Sequence, residues 1–299
     1  MITPPYLVQG DAVGIVSTAR KISSEELTFF LNLLKSWGLK PVLGETINAD
    51  DSQYAGTDAL RSADFQNMLD NPEIKAIWCA RGGYGTVRIV DALDFSAFRK
   101  QPKWVIGYSD VTVLHSHIHS FGIETIHANM AMEMDFKTSA TKESAKQVLF
   151  GKEYSVVYSS EEKTQNRLGI AQGVLVGGNL SLLYSLIGSP SDLVTKNKIL
   201  FIEDLDEYLY HMDRMMQNLK RNGLLKGLKG LIVGGISDMN DNAIPFGKTS
   251  KEIVAEAVSI YDFPVCFDFP AGHILDNRAL ILGREVSLEV SENSVSLGF

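Results

Sequence analysis

Along the first half of the chain, short apolar runs alternate with segments whose apolar positions recur at helical spacing. The run AVGIVST (Ala12–Thr18) has buried-strand length. Ser23 and Glu26 follow at capping-box spacing, and Leu27, Phe30, Leu31 and Leu34 then recur at helical intervals up to Gly38, a C-terminal stop. PVLG predicts a strand, Thr57 to Leu69 a helix, and IKAIWCA (Ile74–Ala80) another strand, broken by the loop RGGYG. TVRIVDAL predicts a short helix, KWVIG a strand, and a further helix begins near Asp110. Strands that alternate with helices in this way imply a mainly parallel sheet covered on both faces. Ligands of such sheets bind outside the carboxyl ends of the strands. The RGGYG loop and the turn Gly107–Asp110 both belong to those ends.

The pattern changes at GKEYSVVYSSEEKTQNR (Gly151–Arg167), which is polar, charged and poor in bulky aliphatics. It reads as an exposed connection with room for one edge strand, and it sets a domain boundary near residue 160, dividing the chain into 1–160 and 161–299. The second part mixes short strands with at least two helices and ends in the β-rich LILGREVSLEVSENSVSLGF. Neither a solenoid-type repeat nor a low-complexity tract is visible.

Composition narrows the class. The 299 residues are 45% hydrophobic and 21% charged, as in a soluble globular protein. A formal charge of -8 without a Lys/Arg cluster argues against a nucleic-acid partner. MITPPYLVQGD lacks the form of a signal peptide, and no apolar stretch is long enough to span a bilayer. Two cysteines, Cys79 and Cys266, make no disulfide framework, so a reducing compartment, the cytoplasm, is expected.

The chemistry turns on WVIGYSDVTVLH. Ser109, just past Gly107, is either a helix N-cap or a nucleophile projected from a tight strand-to-helix turn. A nucleophilic serine needs a base and a group to orient that base. Of the six histidines, His115, His117 and His119 lie in the helix after Ser109, six or more positions on and so roughly 9 Å or more up its axis. Their spacing is no metal comb on a helix, because His117 points away from the other two. His211 lies in a helix and His127 follows IETI. His273, in the loop FPAGHILDN after VCFDF, is the better-placed base, although an ordinary loop histidine would look the same. In KILFIEDLDE, Glu203 ends a buried apolar run and suits a histidine partner; Asp204 and Asp206 read equally as caps of the helix near Tyr208. RGGYG is neither a P-loop nor G-x-G-x-x-G. It is either a plain turn or a source of oxyanion-binding N–H groups. Asn179 in VGGNL reads as a helix cap.

Taken together, IWCARGGYGTVRIVDALD, WVIGYSDVTVLH, GVLVGGNLSLL, ILFIEDLDEYLYHMDRMM, FPAGHILDNRALILG and the opening PPYLVQGDAVGIVSTA resemble, in order, segments of the LD-carboxypeptidases, peptidase family S66. The resemblance implies a flavodoxin-like parallel-sheet N-terminal domain and a smaller β-rich α/β C-terminal domain, with the active site in the cleft between them. It implies Ser109 as nucleophile, His273 as general base and Glu203 as its orienting carboxylate. Oxyanion donors would be the backbone amides of Gly83 and Asp110. The implied reaction is hydrolysis of the bond between an L-centre and a terminal D-alanine in murein tetrapeptides during peptidoglycan recycling, without metal or organic cofactor and in a homodimer. Arg81 is the nearest cation in sequence for the substrate carboxylate, with a structural salt bridge as the alternative. Two departures, IHANMAM where many relatives read H-G-P-M and Ile274 where glycine is frequent, leave the triad positions intact but bear on the cleft. The rival functions are a microcin-C-type self-immunity peptidase of the same family and a non-catalytic binder of small carboxylates.

Overall fold

The computed structural model describes residues 1–159 and 165–299. Five strands of the first half, β1 (Ala12–Val16), β2 (Lys40–Leu43), β3 (Ile74–Cys79), β4 (Trp104–Gly107) and β5 (Thr125–His127), are mutually parallel in the order 2-1-3-4-5. That is the order of flavodoxin-like sheets. Their near-continuous apolar sequences follow from burial on both faces. A second sheet combines β6 (Ser155–Tyr158), β7 (Gly169–Asn179), β8 (Lys198–Leu205), β9 (Gly230–Ser237) and β10 (Val265–Cys266) with the late strands β12 (Glu285–Val290) and β13 (Val295–Gly298). β11 (Leu280–Leu282) instead joins the first sheet, antiparallel to β5. The half from β7 to β10 is parallel, the half from β7 through β12 and β13 to β6 antiparallel. The edge strand expected between Gly151 and Arg167 is β6. The boundary expected near residue 160 touches 160–164 and so lies outside the described residues. One apolar core runs through both sheets, joining Trp78, Ile106 and Ile126 to Leu175, Phe201 and Leu288.

The helices are α1 (Thr28–Ser36), α2 (Asp58–Asp70), α3 (Ser96–Lys100), α4 (Thr112–His119), α5 (Ser139–Leu149), α6 (Leu180–Leu186), α7 (Leu209–Arg221) and α8 (Ser250–Ala257). α2 starts where expected, with Thr57 accepting the Leu60 N–H. Two expectations differ. Ser23 and Glu26 do exchange capping-box bonds, but they close a turn ahead of α1 and not its first residue. TVRIVDAL forms two short 3-10 turns, at 86–88 and 90–92, because its N-terminal end is held by neighbouring loops.

Candidate active site

The strand β4 stops at Gly107, where any Cβ would come 2.7 Å from Val111 Cγ2, so only a bare Cα lets the chain fold back so closely. Tyr108 is extended, and Ser109 then adopts φ +57°, a left-handed conformation uncommon for a residue with a side chain. Ser109 opens a 3-10 turn, 109–111, that leads into α4, and that turn has no side-chain cap. The helix-cap reading of Ser109 is thereby excluded. Backbone strain of this kind collects at functional sites.

The carboxylate of Asp110 is buried, and its Oδ2 accepts the Thr86 N–H at 2.8 Å. Burial pushes its pKa up, opposed by the hydroxyl and N–H of Thr86, the Gly85 N–H and the charge of Arg61. Thr86 in turn shares a 2.8 Å hydroxyl contact with Thr18. This network fastens the glycine loop to the serine turn. A Cβ on Gly82 would lie 3.5 Å from Ser109 Cβ, so the loop faces the serine at Gly82. Gly83 follows, exposed, at φ +105°. The Arg81 guanidinium donates to the Lys21 carbonyl at 2.8 Å and lies 3.9 Å from Glu26, on the loop after β1.

Glu203 sits near the carboxyl end of β8, opposite Asn179 of β7, and is fully buried. Its Oε2 accepts two bonds from His273, from Nδ1 at 2.6 Å and from the backbone N–H at 3.2 Å. The approach depends on Gly272: at φ +108°, a Cβ there would stand 2.7 Å from Glu203 Cβ and 2.8 Å from its Oε2. The buried amide of Asn277 holds the loop by accepting the Gly272 N–H at 2.8 Å. Burial lowers the His273 pKa, but the charge and hydrogen bond of Glu203, with Asp204 behind it, outweigh burial and raise it. A carboxylate on Nδ1 keeps the ring proton there and leaves the lone pair at Nε2. The imidazole packs on Tyr108, centroids 4.6 Å apart, beside Ser109. Ser109 thus follows the residue against which the His273 imidazole packs, and Glu203, near the carboxyl end of β8, holds that imidazole from behind.

The other histidines are used structurally. His115 meets the Gly107 carbonyl at 2.9 Å, and burial brings its pKa to about 4. His119 meets the Thr125 hydroxyl and burial brings it to about 3. His117 meets Ser191. His127 is buried between Tyr108 and Phe201 and held well below its ordinary pKa by burial. His211 pairs with Glu207 at 2.6 Å. Asn179 is the cap of α6, accepting the Leu182 N–H. Neither Asp204 nor Asp206 caps α7. Asp204 accepts the Ser181 N–H of α6 and the Asn179 amide, while Asp206 accepts from Asn240. Desolvation, then the charge of Glu203, lifts Asp204 to about 7.

Tyr108, Asn277 and the Asp110 side chain hold the site together, yet sequence reading passed over them. Only their adjacency to Ser109, Gly272 and the glycine loop hints at it. Among the described residues, no group of three or more His, Cys, Asp or Glu is placed to hold a metal, and no helix is long and apolar enough to cross a membrane.

Residues 13–128 match the family model described as the LD-carboxypeptidase N-terminal domain, and 172–288 that of its C-terminal domain. The chain is 36% identical over 301 residues to a probable murein peptide carboxypeptidase of Bacillus subtilis, covering 97% of this chain and 92% of that protein. It is 25% identical over 325 residues to the microcin C7 self-immunity protein MccF of Escherichia coli, covering 97% and 94%. Among solved structures, muramoyltetrapeptide carboxypeptidase of Oxalobacter formigenes superposes with a TM-score of 0.86 at 26% identity, over 96% of this chain and 98% of that one. With both domain models matched in order and a relative this similar along nearly its whole length, the chain belongs to the LD-carboxypeptidase family, peptidase family S66.

Proposed function

We propose that this protein is a cytoplasmic serine carboxypeptidase of peptidoglycan recycling that removes the terminal D-alanine from murein tetrapeptides, using Ser109, His273 and Glu203. The observation that carries the reading is the buried 2.6 Å bond between His273 Nδ1 and Glu203, with the imidazole set on Tyr108 next to a serine in a left-handed turn. Ser109 Oγ attacks the carbonyl of the L-centre while His273 Nε2 takes its proton. The oxyanion is held by the Gly83 and Asp110 amides. His273 then gives the proton to the departing D-alanine amine, and water clears the acyl-enzyme with the same base. Glu203 keeps the tautomer and stabilises the imidazolium. The names of the Bacillus and Oxalobacter relatives support the substrate class.

The test compares wild type and Ser109→Ala on L-Ala-γ-D-Glu-meso-diaminopimelate-D-Ala and on the isomer ending in L-Ala, with alanine release followed by mass spectrometry. Release from the D-terminated peptide alone, abolished in the variant, is expected. Cleavage of an aminoacyl-nucleotide analogue in place of either peptide would move the assignment to self-immunity, the function named for the Escherichia coli relative. Binding without cleavage in every case would leave a carboxylate-binding protein.

A further inference from the structure

Arg20 stands two residues beyond Thr18, on the loop that follows β1, and its side chain is exposed. The other arginines around the glycine loop are occupied. Arg61 is buried and donates to the carbonyls of Thr18 and Gly85 and to Asp58. Arg88 pairs with Asp58. Arg81 is spent on the Lys21 carbonyl beside Glu26. Arg20 alone of these four has no hydrogen-bond or ion-pair acceptor for its guanidinium among the described residues. Its stem lies across Gly83: a Cβ on that glycine would come 2.6 Å from both Cδ and Nε of Arg20. The backbone ties the two loops, the Arg20 N–H donating to the Gly82 carbonyl at 3.3 Å. Gly82 is the residue of that loop whose open side faces Ser109.

The geometry of a peptide substrate says where its terminal carboxylate must fall. In a trans amide the carbonyl oxygen and the following Cα lie on the same side of the C–N bond. The carboxyl carbon of the last residue therefore comes to about 3 Å from the scissile carbonyl oxygen in favourable conformers. A carbonyl oxygen held by the Gly83 amide brings that carboxylate to the Gly83 side of the serine, where Arg20 lies. We propose that Arg20 is the residue that recognises the free carboxylate of the substrate's terminal residue and so makes this site a carboxypeptidase. The planar fork of a guanidinium suits a carboxylate in two-point contact, and its exposure leaves it open to a ligand. The proposal rests on the reading of Ser109 and Gly83 given above. It assigns the carboxylate to Arg20 and not to Arg81, the nearest cation in sequence. The other cation near the imidazole, Lys137, already donates to the Ile274 carbonyl at 2.7 Å on the His273 side.

The experiment uses the full chain and two substrates, the tetrapeptide ending in D-alanine and the same peptide ending in D-alaninamide. Wild type is expected to prefer the acid. Arg20→Ala should lose about 10- to 100-fold in kcat/KM on the acid, the worth of a charge-assisted hydrogen-bonded contact, and change little on the amide. Arg20→Lys should recover part of the loss, and an unchanged melting temperature would show that the fold is intact. An equal loss on both substrates, no loss, or a selective loss in Arg81→Ala or Lys137→Met with Arg20→Ala unaffected would overturn the assignment. Binding separates this inference from the peptidase reading. Acid and amide are titrated calorimetrically into Ser109→Ala and into Ser109→Ala/Arg20→Ala. If wild type cuts nothing, the peptidase reading fails, whereas tighter acid binding that vanishes with Arg20 still upholds the carboxylate site. Acid binding no tighter than amide binding to Ser109→Ala overturns it, whatever the turnover.

Discussion

Among the described residues, two histidine–glutamate pairs share the same short contact, Nδ1 to Oε2 at 2.6 Å, and they differ in almost everything else. His211 and Glu207 are four residues apart at the start of α7, each side chain about a quarter exposed, 27% and 24%. His273 and Glu203 are 70 residues apart, on a loop and a strand, with the carboxylate at 0% exposure. The His211 ring meets the edge of Tyr184 at 6.0 Å, while that of His273 rests on the residue before Ser109. Hydrogen-bond length therefore does not tell the proposed catalytic pair from the other. Partial exposure lets solvent screen the attraction at Glu207, whereas burial shields Glu203 and leaves the histidine as its charged partner. Breaking a buried pair leaves an uncompensated charge, which is what makes such a pair hold one tautomer and one ring orientation.

Activity should separate the pairs most widely. Glu203→Gln is expected to lower kcat/KM for D-alanine release by about 10³- to 10⁴-fold, as when a triad histidine loses its orienting carboxylate. Glu207→Gln should stay close to wild type. Steady-state kinetics on the tetrapeptide, with melting curves to confirm folding, reads both. A Glu207→Gln variant as impaired as Glu203→Gln would erase the distinction drawn from burial.

The pH profile should show a smaller contrast. As the proposed base, His273 must be neutral to accept the serine proton, so kcat/KM is expected to climb with pH as the imidazolium gives up its proton. Burial alone would put that limb below the ordinary value of 6.5, but Glu203 and Asp204 raise it above. In Glu203→Gln the burial remains and the carboxylate charge is gone, so whatever activity survives should have its limb below 6.5. The same raised pKa is a stability statement. The pair's contribution is fully present below the unfolded value and is lost as pH rises through the folded one. Glu207→Gln should leave the limb where wild type has it. A limb unmoved by loss of Glu203 would mean that something else sets the base.

Much of this was legible in the chain, and the limits were physical. The alternation of apolar runs and helical segments announced the parallel sheet, because strands buried on both faces need continuous apolar sequence. Gly107 and Ser109 signalled a tight turn, Glu203 the end of a buried strand, and GGN a helix cap that Asn179 does make. Pairing between distant segments was not legible. No local pattern tells that β11 leaves its sequence neighbours for the first sheet or that β6 closes the second. Asp204 shows the same limit on a smaller scale. Its position before α7 suggested a cap for that helix, yet the sheet register turns it to α6. Arg20 lay outside the motifs altogether, and only the path of its side chain across Gly83 brings it to notice.

The finest distinction lies in coupling energies, read by double-mutant cycles in urea at a pH near 6. For Glu207 and His211, a partly exposed pair at i and i+4, the coupling should be about 0.2–0.5 kcal/mol. The effect should shrink in 1 M salt, where the screening length falls to about 3 Å. For Glu203 and His273 the coupling should reach about 1–3 kcal/mol and change little with salt, because the contact excludes the ions that would screen it. The single Glu203→Gln change should also cost more than the cycle's coupling term, since the backbone N–H of His273 loses its charged acceptor as well. Equal couplings in the two pairs would show that Glu203 is screened as Glu207 is, by water that reaches it through an open cleft. The large activity difference would then have to come from the packing of His273 against Tyr108 and not from the charge behind it.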